Sequence, residues 1–469
     1  MRINLWVGIL AVAMVGFAPK AFAFHDGGVA YCDGCHSMHN SSGNKTMSGG
    51  RNAAVINNGK VSKVQFVGNN YLLQGSDDSS TCLNCHAAAD AAGSPNSYHV
   101  MTFPAPAAGV APTQRTPGGD FAWLTVNTSA RATYGAPVVN KGERHGHNVV
   151  AFDYNLAADT TLLTAPGGDY PAAKLSCASC HDPHSRARIV DAAGTIAVSA
   201  FGTAVKPIGA SGSYGAAPDA NEAVGVYRLL APASYGQDSV TSMPFNANPP
   251  VAVAPNSYNV SEATGMTRVA YGAGMSEWCA NCHRSIHNDG TDAANTALIH
   301  PAGNGAKLTA DANDLNGGKS QTIAGIYNAY KKSGDLTGVQ ATSFESLVPF
   351  EEGTTVLATL LGHAGSSATS TQLGTTGGPS TGAENVMCLS CHRAHASGFS
   401  SAARWNNNGE FLVIAGQYPG SDAPTAEGKG GQYSRGYNQA QFAAAMYERP
   451  ASQFAFAQRS LCNKCHAKD

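Results

Sequence analysis

All twelve cysteines of this 469-residue chain fall into six copies of one five-residue pattern, and no cysteine is left over. The copies are Cys32-Asp-Gly-Cys35-His36, Cys82-Leu-Asn-Cys85-His86, Cys177-Ala-Ser-Cys180-His181, Cys279-Ala-Asn-Cys282-His283, Cys388-Leu-Ser-Cys391-His392 and Cys462-Asn-Lys-Cys465-His466. They are called motifs I to VI below. Disulfides, zinc sites and redox dithiols all use paired cysteines. None of them requires a histidine directly after the second cysteine. With 16 histidines in 469 residues, chance would place one after all six second cysteines with a probability on the order of 10⁻⁹.

Cys-x-x-Cys-His is the attachment pattern of c-type haem. Each cysteine adds to one porphyrin vinyl group, giving two thioether bonds. On one turn of helix the positions i, i+3 and i+4 share a face, so two sulfurs and an imidazole meet the same ring. The sequence therefore predicts six covalently bound haem c groups. Their thioethers come from Cys32, Cys35, Cys82, Cys85, Cys177, Cys180, Cys279, Cys282, Cys388, Cys391, Cys462 and Cys465. Their proximal iron ligands are His36, His86, His181, His283, His392 and His466.

Ten further histidines are available to close the sixth iron positions. His39, His184 and His395 each lie three residues after a motif histidine, in HSMH, HDPH and HRAH. Such a residue cannot easily reach round to the far side of its own haem, but it can reach the next one. His147 and His363 both follow glycine and precede a CHxxH motif. His300 opens a turn whose Pro301 fixes the backbone, and His99 lies in a Ser/Asn/Pro loop. These seven, His39, His99, His147, His184, His300, His363 and His395, are the distal candidates for six places, so one is surplus. His287 shares the face of His283 and is a weaker candidate. His25 and His145 are read as surface residues. Methionine is the rival ligand, but Met38 and Met387, the two near motifs, are expected to pack.

The motifs are spread from end to end, which predicts one haem-cored body over residues 24–469. Residues 1–23 read as a secretory signal peptide, with Arg2, an apolar run from Leu5 to Phe17 and the cleavage site Ala21-Phe22-Ala23. The run is too short to span a membrane, and no later segment is apolar enough to do so. Gly is 53 of 469 and charged residues are only 13%, about half the usual quarter, which argues against a helix bundle. Lys+Arg of 29 against Asp+Glu of 31, with no basic block, excludes a nucleic-acid-binding surface. Loss of Arg2 and Lys20 and the gain of haem propionates make the exposed balance acidic.

Regular structure is expected to be sparse: mostly loop and coil, a few short α-helices and minimal β, around a covalent haem-stack core. Tracts at 203–217, 246–255 and 365–382 are rich in Gly, Ser, Ala, Pro and Thr and read as loops. Helices are expected over 322–333, over 438–449 from Asn438 to the stop at Pro450, and before motif VI over 451–461. Ser276 is expected to cap a helix carrying motif IV, with Glu277 in its first turn.

These residues resemble a known family, the outer-surface hexahaem c-type cytochromes of metal-reducing bacteria that polymerise into nanowire filaments. The matching strings span the chain: FHDGGVAYCDGCHSMHN at 24–40, GERHGHNVVAFDYN at 142–155, YGAGMSEWCANCH at 271–283 and HPAGNGAK at 300–307. YNAYKKSGDLTG at 327–338, PFEEGT at 349–354, CLSCHRAHASGF at 388–399 and LCNKCHAKD at 461–469 continue the match. The resemblance implies six bis-histidine haems in one continuous stack and a loop-dominated backbone. It also implies that His39 leaves its own subunit to bind the iron of the haem held by Cys388, Cys391 and His392 in the adjacent subunit. Subunits joined head to tail in this way make a heterologous contact that does not close, hence a filament. The implied partners are the chain itself, upstream outer-membrane or periplasmic cytochromes as donors, and extracellular metal oxides or other acceptors. The implied location is the outer surface of a Gram-negative cell, reached through the periplasm. Ala88 departs from the family, which has a histidine there, and so does His145, where the family has lysine. Residues 186–260 match less well.

Three functions compete on the sequence. An electron carrier or conduit, not an enzyme, needs closed irons and accounts for the surplus histidines. A monomeric periplasmic shuttle needs the same ligands but no self-contact. A multihaem oxyanion reductase needs an iron with an open position.

Overall fold

The computed structural model describes residues 32–37, 71–90, 99–131, 136–183, 230–236, 244–253, 267–286, 302–304, 348–356, 383–423 and 428–456. It also describes short pieces at 41–42, 45–46, 55–57, 60–62, 189–190, 196–197, 206–207, 359–360 and 365–366, and single residues at 327, 363, 379, 425 and 462. The signal-peptide reading, His25, His39, His184, His287, His300, Cys465, His466 and the loops at 203–217 and 365–382 lie wholly or mostly outside these residues. So does the helix expected over 322–333, of which only Tyr327 is described.

Among the described residues the backbone is mostly coil, as the composition predicts. Short helices punctuate it: α1 (Cys32–Cys35), α2 (Asp78–His86), α3 (Cys177–Cys180), α4 (Met275–Cys279), α5 (Cys388–Cys391), α6 (Gly430–Tyr433) and α7 (Gln439–Ala445). Five of these carry a haem motif. Strands are two or three residues long and pair in small ladders, all antiparallel except Ala87–Ala88 against Met101–Thr102. No helix among the described residues is long and apolar enough to cross a membrane.

So few ladders leave many buried N–H groups to be satisfied by other means. Buried carboxylates and amides do this. Asp120, with no exposed surface, accepts from the N–H of Thr102, Gln114 and Ala122 and from the Thr102 hydroxyl. Asp77 caps α2 by accepting from Ser80 N–H and hydroxyl, and also takes the N–H of Phe152. Asp159 takes the N–H of Thr161 and Leu162. Asn281 takes those of Asn246 and Ala247. Asp77, Asp120 and Asn281 tie together segments distant in sequence, while Asp159 braces its own turn.

The apolar core has two parts. The larger gathers Leu83, Trp123, Phe399, Tyr437 and Phe442, all at most 2% exposed, from four separate stretches. The smaller lies under motifs IV and V and joins Phe245, Tyr271, Met275, Trp278 and Met387. Met387 therefore packs, as expected. The Trp278 indole donates to Ala231 O at 2.9 Å.

Two expectations about helices need correction. The helix carrying motif IV begins at Met275, one residue before Ser276, with Gly274 at its cap in the left-handed region (φ 112°). A glycine adopts that conformation without a Cβ penalty. Glu351 then fills the capping role, accepting from the N–H of Gly274 and Met275 at 3.3 and 3.2 Å. Among the described residues of 451–461, Ala451–Gln453 form a 3₁₀ turn and Phe454 to Phe456 are not helical, while 457–461 lie outside the described residues. The helix starting after Asn438 is present, with Asn438 and Gln441 forming a reciprocal cap. It ends at Ala445, because Tyr447 and Glu448 turn into the left-handed region before Pro450.

Glu351 has no exposed surface. Burial pushes its pKa up to about 7, against the Asn385 hydrogen bond and with help from Glu277. A raised carboxylate binds its proton more tightly folded than unfolded, so stability falls as pH rises from 4.5 to about 7. Glu351→Gln removes this dependence. The variant is expected to gain on the wild type across that window by about 2–3 kcal/mol, measured as denaturation midpoints at the two ends.

Candidate haem sites

Each described motif closes in a single helical turn. His36, His181, His283 and His392 donate their backbone N–H to the carbonyl of Cys32, Cys177, Cys279 and Cys388 at 2.8, 2.9, 3.0 and 3.1 Å. That i to i+4 bond places two sulfurs and an imidazole on one face. In motif II the same geometry lies inside α2. No disulfide joins any of the described cysteines, so their sulfurs remain in the form that thioether chemistry requires.

The motif turns come in pairs. Helix α2 packs against α3, and α4 against α5. The two pairs use the same bonds. Cys177 N–H donates to Ser79 Oγ at 3.0 Å and Cys388 N–H donates to Ser276 Oγ at 3.1 Å. Each serine lies three residues before the first cysteine of the partner motif. Inside the second member, Ser179 Oγ accepts from Ser176 N–H and Ser390 Oγ accepts from Met387 N–H. In each pair the two motifs' cysteines also meet, Cys82 with Cys177 and Cys279 with Cys388. Motifs II–III and IV–V are therefore two copies of one module. The sequence carries that signal in Ser-x-x-Cys-x-Asn-Cys-His for motifs II and IV and Cys-x-Ser-Cys-His-x-x-His for III and V, but the sequence reading did not use it.

Imidazole orientation separates ligand candidates from structural histidines. A ligating histidine gives one ring nitrogen to a hydrogen-bond acceptor and leaves the other for the metal. The Nδ1 atoms of His36, His283 and His392 meet the carbonyls of Tyr71, Pro166 and Ser401 at 2.8, 2.9 and 2.7 Å. Among the distal candidates, His147 Nδ1 meets Ala394 O at 2.6 Å. His363 Nδ1 lies 3.0 Å from Glu352 Oε2, and His99 Nδ1 lies 3.0 Å from Asp90 Oδ1.

His145 differs on both counts. It is fully buried, not a surface residue as its charged neighbours suggested. A 3₁₀ turn, Gly142–Arg144, leaves Arg144 exposed and turns His145 inward. Its Nδ1 meets Trp123 O at 2.9 Å, and its Nε2 meets Asn140 Oδ1 and Tyr437 Oη, each at 3.1 Å. With both nitrogens used it pins loops together and has none to offer a metal.

Two candidate pairs have the spacing of imidazoles either side of one iron. Two rings each bound through a nitrogen at about 2 Å from a shared metal have centres about 6 Å apart. His147 and His283 are 6.0 Å apart and His181 and His395 are 6.3 Å apart, centre to centre. Burial, with the facing imidazole next in weight, pushes His147 down to about 4 and His395 to about 3, so both rings are neutral. Loops clasp the His395 segment. Phe121 stacks on its ring at 4.7 Å. A Cβ at Gly118 would stand 2.8 Å from His395 Nδ1, and one at Gly119 or Gly146 would overlap the backbone of residues 395–396. The residues present thus fit haem. Cys462 is described, but Cys465 and His466 of its motif are not, nor are His39, His184 and His300.

Paired sulfurs on one helical turn, oriented proximal imidazoles and facing distal imidazoles define a multihaem c-type cytochrome with covalently bound haem. No protein-family model matches the chain. Over 476 aligned residues, covering 100% of this chain and 99% of the relative, it is 49% identical to the c-type cytochrome OmcS of Geobacter sulfurreducens. Two solved structures agree. Cryo-EM of OmcS nanowires from that organism gives a TM-score of 0.74 at 47% identity, over 95% of this chain and 100% of the other. An outer-membrane cytochrome S filament gives 0.72 with the same identity and coverage. The chain belongs to the OmcS family of c-type cytochromes.

Ser276 is fully buried and holds the α4–α5 pair by one bond. Ser276→Ala leaves the Cys388 N–H without that acceptor and is expected to cost about 1–3 kcal/mol. The measurement is the denaturant midpoint of the holoprotein, with its low-spin absorption unchanged.

Proposed function

We propose that this protein is a secreted hexahaem electron conduit that assembles head to tail into filaments. Residues 24–469 form one haem-cored body, exported by the signal peptide at 1–23 to the outer cell surface. Electrons arrive from outer-membrane or periplasmic cytochromes and leave to extracellular acceptors such as metal oxides. When bound, haem supplies the one-electron iron couple and the relay. The chain's own residues tether, ligate and order the sites, and no catalytic residue is invoked.

The observation that carries this reading is the interleaving of ligands between motifs. His395, three residues after the motif V histidine, faces His181 of motif III. His147, which precedes motif III, faces His283 of motif IV. Neither partner belongs to its neighbour's own motif, so each pairing binds one site to another and closes both axial positions. Closed irons suit electron transfer and leave no place for a substrate.

The module repeat extends the assignment. A histidine three residues after one motif serves the motif two places earlier, so His184 is assigned to the site of His36. A histidine preceding a paired motif serves the next one, so His363 is assigned to the site of His466. His39 stands in the same place after motif I, where the chain has no motif two places earlier. The place is filled by motif V of the adjacent subunit, the site of Cys388, Cys391 and His392. That contact propagates without closing. The OmcS structures it resembles are filaments, which supports the same arrangement. The site of His86 remains for His99 or His300, whichever is not surplus.

His39→Ala is expected to abolish filaments and turn one haem per subunit high-spin, read by electron microscopy of protein sheared from cells and by absorption spectra. Normal filaments with six low-spin haems would overturn the inter-subunit ligand. Of His99→Ala and His300→Ala, one is expected to produce a single high-spin haem and the other none.

A further inference from the structure

The described imidazoles divide by what their Nδ1 atoms face. His36, His147, His283 and His392 face neutral backbone carbonyls. His363 faces a carboxylate, Glu352 Oε2 at 3.0 Å, and the Glu352 side chain is only 6% exposed. His99 stands at the same distance from Asp90, a more exposed carboxylate at 28%.

Glu352 is held in place by backbone. Its N–H donates to Tyr271 O at 2.6 Å, and the preceding residue bridges both Tyr271 and Asn385. The neighbouring carboxylate, Glu351, is committed elsewhere, to the N-terminus of α4 and to Asn385. The two adjacent glutamates therefore serve different partners. One caps a helix and the other meets an imidazole.

We infer that Glu352 is a positioning and tuning residue that makes the iron bound by His363 harder to reduce than the irons whose imidazoles face carbonyls. The inference rests on His363 being an iron ligand. A carboxylate accepting the Nδ1–H draws that proton away from the ring and raises the basicity of Nε2. A more basic axial nitrogen stabilises the ferric state and lowers the reduction potential. The carboxylate, 6% exposed, is little screened by water, while the His363 side chain is 32% exposed. A backbone carbonyl orients the ring equally well but carries no net charge. Glu352 thus does for one site what four carbonyls do for theirs, and adds a negative charge.

The test is a redox titration of the holoprotein followed by absorption and electron paramagnetic resonance. Glu352→Gln keeps an acceptor oxygen and loses the charge. One haem of six is expected to shift to higher potential, with all six retained and low-spin. Glu352→Asp keeps the charge and is expected to restore the potential towards the wild type. An unchanged titration in Glu352→Gln with six low-spin haems overturns the inference, as does an equal shift of all six. If Glu352→Gln loses haem, the Glu352→Asp comparison decides alone: a potential at the wild-type value supports the role of charge, and one shifted upward opposes it. His363→Ala separates the two claims. One new high-spin haem means His363 is a ligand, whatever Glu352 does, and none means that the ligand assignment has failed.

Discussion

The hydrogen bond from each described motif histidine N–H to the carbonyl of the first cysteine is the constraint on which the rest depends. It closes a single turn, and one turn is enough to aim three side chains at one ring. Nothing longer is required, so the chain makes little else regular. Motif helices such as α3 and α5 are four residues long, far too short to be stable alone. They persist because they pack in pairs, and because a covalent ring holds the two cysteines of each turn at fixed separation.

A backbone of loops then needs its own means of order. The side chains of Asp77, Asp120, Asp159 and Asn281 act as junctions where several N–H groups converge. His145 joins loops differently, its two ring nitrogens meeting the oxygens of Trp123, Asn140 and Tyr437. A carboxylate buried for this purpose is under tension between desolvation and hydrogen bonding. In Asp120 burial outweighs four hydrogen bonds and raises the pKa. Such junctions are high in consequence, since removing one acceptor orphans several donors at once.

The motif turns were legible because covalent chemistry dictates both residue type and spacing. The α7 cap was legible too, since Asn438, Gln441 and Pro450 speak locally. The start of α4 was not, because a positive φ at Gly274 and a distant Glu351 decide it, and neither is visible from Ser276. His145 was misplaced because its charged neighbours said surface while contacts with Trp123, Asn140 and Tyr437 pulled it in. All four rings of the facing pairs were named from the sequence, His181 and His283 as proximal ligands and His147 and His395 as distal candidates, but spacing alone named no pairs. The module repeat that pairs motifs II–III and IV–V was present in the serines before and within the motifs, though its meaning needed the hydrogen bonds from Cys177 and Cys388.

Interleaving has a consequence for how such a chain comes into being. His181 meets His395 214 residues further on, so in the proposed assignment the ring between them cannot be sandwiched until most of the chain exists. Tethering is local and can proceed one motif at a time on an unfolded polypeptide. Axial closure of this site must wait. In the proposed assignment, a chain cut short before residue 395 would carry the motif III ring attached but open on one side, and chemically exposed. In that assignment the order in which bonds form is written into the spacing of the ligands, with the most reactive half-made state confined to the interval between first attachment and completion.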